Sequence, residues 1–132
     1  MAIQMIGIDH TKAVIDIRTI FSFTKKRSAE ALKLIKEEKG IRGCVLISTC
    51  NRMELYVSTE EGYEGDLNEL LCRVKELPEG LWPEYREYFS FREEKEAASH
   101  LFRLAAGLES RVLGGDQVIT QVKGALAMTR ED

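Results

Sequence analysis

The chain has 132 residues, 44% of them hydrophobic and 31% charged, which excludes a disordered tail and fits one globular domain. Nineteen Lys and Arg against 22 Asp and Glu leave a net charge of −3. That balance excludes a protein held to nucleic acid by bulk charge, so any RNA contact has to come from a local patch. No apolar run approaches the ~18 residues of a membrane span, and Met1-Ala2-Ile3 leads into strand-like sequence without a signal peptide. The expectation is a cytoplasmic protein. Its three cysteines, Cys44, Cys50 and Cys72, form no CxxC, and only His10 and His100 accompany them, so no metal site is expected. Thiols rather than disulfides suit a reducing compartment.

Ile3 to Ile8 predicts an N-terminal strand that ends at the turn-prone Asp9-His10-Thr11-Lys12. Ala13 to Phe23 is open between strand and short helix. A helix follows from a cap at Thr24 or Ser28 to Lys39, with Ala31, Leu32 and Ile35 inward and Gly40 as its stop. Cys44 to Ile47 reads as a short buried strand, and Glu54 to Ser58 as its partner. Asp66 to Leu77 predicts a second helix, Glu87 to Phe91 a further strand, and Glu93 to Leu108 a third helix. After Gly114-Gly115, a last helix is expected from near Gln117 to the end of the chain. It has no stop signal, so the sequence reads as part of a longer protein. The order β, α, β, β, α, β, α predicts an α+β fold: a ferredoxin-like split βαβ sandwich with an antiparallel sheet and additional C-terminal helices.

Three segments could carry chemistry. In Ser48-Thr49-Cys50-Asn51-Arg52, a cysteine sits at a loop tip between two strands, and Arg52 can favour its thiolate. Ser48, Thr49 and Asn51 supply hydroxyl and amide groups. On local physics alone, a turn built from small polar residues explains the segment better than a nucleophile does. His100 lies at the edge of the third helix's apolar stripe, where it could face a cleft with the sheet and serve a cysteine. A half-buried histidine bonded to a carbonyl is the commoner outcome. In the segment from Gly107 to Lys123, Asp116 can cap a helix on which Gln117 and Gln121 share a face. No Walker loop and no GxGxxG occurs.

Gly7-Ile8-Asp9-His10-Thr11-Lys12-Ala13, the block from Leu46 through Ser48-Thr49-Cys50-Asn51-Arg52 to Tyr56, and His100 to Ser110 together resemble the N-terminal catalytic domain of glutamyl-tRNA reductase. The last match continues through Val112-Leu113-Gly114 and Gln117 to Gln121-Val122-Lys123. The resemblance spans nearly all of residues 1–132 as a single domain and reverses the local reading of Cys50 and His100. It implies that Cys50 attacks the ester of glutamyl-tRNA to form a thioester, which NADPH reduces to glutamate-1-semialdehyde for tetrapyrrole synthesis. His100 matches the family's functionally important histidine, which implies a proton-transfer or orienting group. Thr49, Asn51, Arg52, Ser110, Gly115, Asp116, Gln117 and Gln121 fall at substrate-binding positions. Arg52 suits the glutamyl carboxylate as a two-pronged donor.

The resemblance also implies further domains for NADPH and for dimerisation that are absent from this chain. The partners it implies are glutamyl-tRNA, a second copy of the full-length protein and the downstream aminomutase, with no membrane. Several residues depart from the family pattern. Gly115 and Asp116 stand where the family usually has Glu-Pro, Asp9 replaces an asparagine, and Arg111 replaces an apolar residue. These departures keep a second reading open: a diverged non-catalytic paralogue that binds tRNA, a tetrapyrrole or a partner enzyme.

Overall fold

Alternation along the strands decides which side of the sheet each residue faces. Strand β1 (Ala2–Asp9) buries Ile6 and Ile8 on one face and Met5 on the other. Strands β2 (Ile41–Ser48) and β3 (Arg52–Thr59) do the same. Cys44, Leu46, Met53, Leu55 and Val57 join the first face, and Val45, Ile47 and Tyr56 join the second. The first face is covered by α1 (Ile15–Phe21), α2 (Lys25–Lys36) and α3 (Leu67–Val74), through Phe21, Ala31, Leu32, Ile35, Leu67, Leu70, Leu71 and Val74. The second is covered by α5 (Glu94–Glu109), through Ala97 and Leu101. The computed structural model describes residues 2–49, 51–78, 80, 82–109, 118–122 and 130–131, with side chains as far as Arg103.

Local signals explain most helix ends. Thr24 caps α2 by accepting the Arg27 amide, so Ser28 is not the cap. Asp66 caps α3 by accepting the amide of Asn68. The segment left open between strand and helix is α1. Gly40 has φ +93°, and a Cβ there would come within 2.7 Å of the Tyr63 ring, so the turn into β2 needs glycine.

The chain continues through a helical turn α4 (Trp82–Tyr85), a 3-10 turn at Arg86–Tyr88, strand β4 (Ser90–Glu93), and strands β5 (Val118–Val122) and β6 (Arg130–Glu131). The sheet order is β4-β1-β3-β2-β5-β6, and every neighbouring pair is antiparallel. The first four strands have the order of two interleaved split βαβ units: β3 lies between β1 and β2, and β1 lies between β3 and β4. The expected ferredoxin-like α+β sandwich is the observed one.

Two expectations are corrected. The strand expected over Glu87 to Phe91 begins three residues later, at Ser90. Phe89 turns inward instead, edge-on to Phe21 at 4.8 Å and beside Trp82, so aromatic packing claims it for the core. The helix expected from Gln117 is also absent from residues 118–122, which form β5 along β2 from Ser48↔Val118 to Cys44↔Val122. Val118, Ile119, Thr120 and Val122 are β-branched and fit a pleated surface, and β2 offers them an open edge. Among the described residues, α5, β5 and β6 follow β4.

Candidate functional site

The β2–β3 connection is short because Ser48 already pairs with Met53. Thr49 organises it. Its amide donates to the Arg52 carbonyl at 2.8 Å, and its Oγ1 accepts from the amides of Asn51 at 3.1 Å and Arg52 at 3.2 Å. The hairpin end is tied to the neighbouring β1–α1 turn, where the His10 amide donates to the Asn51 carbonyl at 2.9 Å. Ser48 faces away from this site: its Oγ accepts the Phe23 amide at 2.9 Å on the α1–α2 side. Cys50, which these neighbours flank, lies outside the described residues.

Arg52, Glu54 and Tyr56 alternate onto the face of β3 that α5 covers. Glu54 is 1% exposed, and a buried carboxylate must be paired and hydrogen-bonded. Its Oε1 accepts the Tyr56 hydroxyl at 2.6 Å. Its Oε2 receives Arg52 at 3.2 Å and meets His100 Nε2 at 3.0 Å. His100 reaches it from α5 and keeps 18% of its side chain exposed, against 21% for Arg52. Burial, together with the charge and hydrogen bond of Glu54, pushes the Tyr56 phenol well above its ordinary value. The hydroxyl therefore stays a donor.

Asp9 stands opposite Arg52 in the β1–β3 register. Burial would raise its carboxyl, but hydrogen bonds from Thr11 and the charge of Arg52 outweigh burial and hold it below the usual range. The end of the sheet thus sets Asp9, Arg52 and Glu54 in a row of alternating charge, with the imidazole of His100 against Glu54.

Arg52 and His100 therefore converge on a single oxygen, beside the loop that Thr49 and Asn51 shape. Ser110, Gly115, Asp116 and Gln117 lie outside the described residues. Gln121 is in β5, opposite Val45, so a helical face shared with Gln117 does not exist at that position. Glu54 and Tyr56 were not anticipated as site residues. The signal was a carboxylate between Met53 and Leu55, in register with Arg52, on a strand that both layers cover. Gly7 is the other half of that signal. It lies opposite Glu54, and a Cβ there would come within 2.8 Å of Glu54 Cγ.

The sequence matches the family model described as Glutamyl-tRNAGlu reductase, N-terminal domain, over residues 6–132. It is 41% identical over 131 residues to the glutamyl-tRNA reductase of Alkaliphilus oremlandii, covering 99% of this chain and 38% of that protein. Identity is 42% over 132 residues to a probable multifunctional siroheme biosynthesis protein, HemA, of Ruminiclostridium josui, covering all of this chain and 25% of that protein. Among solved structures, glutamyl-tRNA reductase from Methanopyrus kandleri superposes with a TM-score of 0.54 at 30% identity, over 82% of this chain and 23% of that one. The chain spans two-fifths or less of the length of these relatives. It belongs to the glutamyl-tRNA reductase N-terminal domain family.

Proposed function

We propose that this chain is the substrate-binding and nucleophilic domain of a glutamyl-tRNA reductase, acting in tetrapyrrole synthesis. The observation that supports it best is the convergence of Arg52 and His100 on Glu54 beside the Thr49–Asn51 loop, in a chain of this family. The Cys50 thiolate attacks the ester carbonyl of glutamyl-tRNA. A carbon–sulfur bond forms, the ester carbon–oxygen bond breaks, and the terminal ribose oxygen of the tRNA leaves. His100 takes the thiol proton and returns it to that oxygen. Arg52 gives one terminal nitrogen to Glu54, and Nε and the second terminal nitrogen hold the glutamyl side-chain carboxylate. Thr49 and Asn51 shape the loop, and Ser110, Gly115, Asp116, Gln117 and Gln121 complete the glutamyl pocket.

Reduction of the thioester needs NADPH. This sequence has no GxGxxG turn, so its residues do not fit a dinucleotide held in that way. The full protein would supply that domain, a dimer contact and any aminomutase contact. Among the described residues, no helix is long and apolar enough to cross a membrane; the cytoplasmic setting is part of the proposal.

Single-turnover release of deacylated tRNA from glutamyl-tRNA tests this reading. The parent chain is expected to release it, and Cys50→Ser to fall to the uncatalysed rate. Equal release by both would leave the chain a binding module.

A further inference from the structure

We propose that Glu54 is the positioning residue of this site: its buried carboxylate holds the His100 ring by Nε2–H and so leaves Nδ1 as the nitrogen that exchanges protons with the reacting groups. The inference deepens the proposed function and rests on it. A carboxylate this buried is costly, and an apolar side chain of similar volume on β3 would serve stability at least as well. Its surroundings are instead built for it. Tyr56 takes Oε1, Arg52 and His100 take Oε2, and Gly7 withholds the Cβ that would strike its stem.

Arg52 can only donate, and Tyr56 stays protonated, so both bonds use Glu54 as an acceptor. An ionised Glu54 can only accept, so the third bond then requires a proton on Nε2. In a neutral imidazole that leaves the lone pair on Nδ1. The described elements around the ring carry these charges. β3 supplies Arg52 and Glu54, β1 supplies Asp9 opposite Arg52, and β4 supplies Arg92, whose charge reaches Tyr56. On α5 itself, Glu96 and Arg103 flank His100 by four and three residues and are exposed. Glu54 is the carboxylate bonded to the ring.

The test is single-turnover acylation of Cys50 by glutamyl-tRNA in the parent chain, Glu54→Gln and Tyr56→Phe. Nitrogen NMR of the imidazoles accompanies it, with His10→Gln assigning the signals. The parent is expected to show a proton on Nε2 of neutral His100, protected from solvent exchange. Glu54→Gln keeps the volume and removes the charge. Its maximal acylation rate should fall roughly tenfold or more, up to the ~10²–10⁴ that a positioned proton-transfer group contributes, with the half-saturating tRNA concentration little changed. Tyr56→Phe keeps the carboxylate and loses one of its donors, so its rate should fall between the two. A folded Glu54→Gln chain acylating at the parent's maximal rate would overturn the inference, as would a parent His100 with its proton on Nδ1. If Glu54→Gln does not fold, an unchanged rate and unchanged Nε2–H protection in Tyr56→Phe overturn it. A parent whose Cys50 never acylates instead refutes the proposed function.

Discussion

At Gly7 the missing side chain makes room for Glu54, because a Cβ would lie 2.8 Å from Glu54 Cγ and 3.2 Å from the Met53 carbonyl. β3 is paired on both sides, so its backbone cannot retreat. Gly7→Ala is expected to cost about 1–3 kcal/mol through overpacking, read as a lower urea midpoint, and to slow Cys50 acylation by displacing Glu54. An unchanged midpoint would show that the stem of Glu54 has another place to go. Arg52→Lys tests a different property. Lysine keeps the charge but cannot span Glu54 and a substrate carboxylate with a planar fork, so discrimination between glutamyl- and glutaminyl-tRNA should weaken. Equal discrimination would confine Arg52 to its bond with Glu54. The remaining cysteines are poor competitors for the chemistry: Cys44 is buried, and burial pushes the Cys72 thiol up, which lowers its thiolate fraction.

Among the elements, the β1–α1 turn depends on pH in a definite direction. Asp9 is held below its ordinary carboxyl value, so its contribution is fully present above the unfolded value of about 3.9. It is lost as pH falls through the lower folded value. Asp9→Asn can still accept the Thr11 amide but cannot titrate, and is expected to flatten that acid limb in urea melts at stepped pH. An acid limb identical to the parent's would assign it to other carboxylates. Strand β5 makes an equally direct prediction. Carbon chemical shifts of residues 118–122 should be those of strand, and helical shifts there would contradict the pairing with β2. That element was hidden in the sequence because Asp116 looks like a helix cap and the two glutamines fall at helical spacing. The β-branched run that follows outweighs both once β2 provides a partner. β4 was displaced for a related reason. Tyr88 and Phe89 look like strand residues, yet the aromatic cluster around Phe21 and Trp82 takes Phe89.

Across the whole molecule, the alternation of β1, β2 and β3 and the apolar stripes of α2, α3 and α5 made the two-faced sheet legible, together with its split βαβ order. The site was legible only in part. Residue type and spacing favoured a polar turn at Thr49–Arg52 and an ordinary half-buried His100, and only the family resemblance marked them as site residues; the carboxylate joining Arg52 and His100 is visible only when β3 and α5 are packed together. A contact between residues 46 apart leaves no periodic trace in the chain. The proposed function rests on Cys50 acting as a nucleophile toward a glutamyl ester. Mass mapping of the chain quenched during incubation with glutamyl-tRNA tests it most directly. The account predicts a hydroxylamine-sensitive glutamyl adduct on Cys50 and none on Cys44 or Cys72. An unmodified Cys50 in folded protein, with substrate intact at the start, would contradict it.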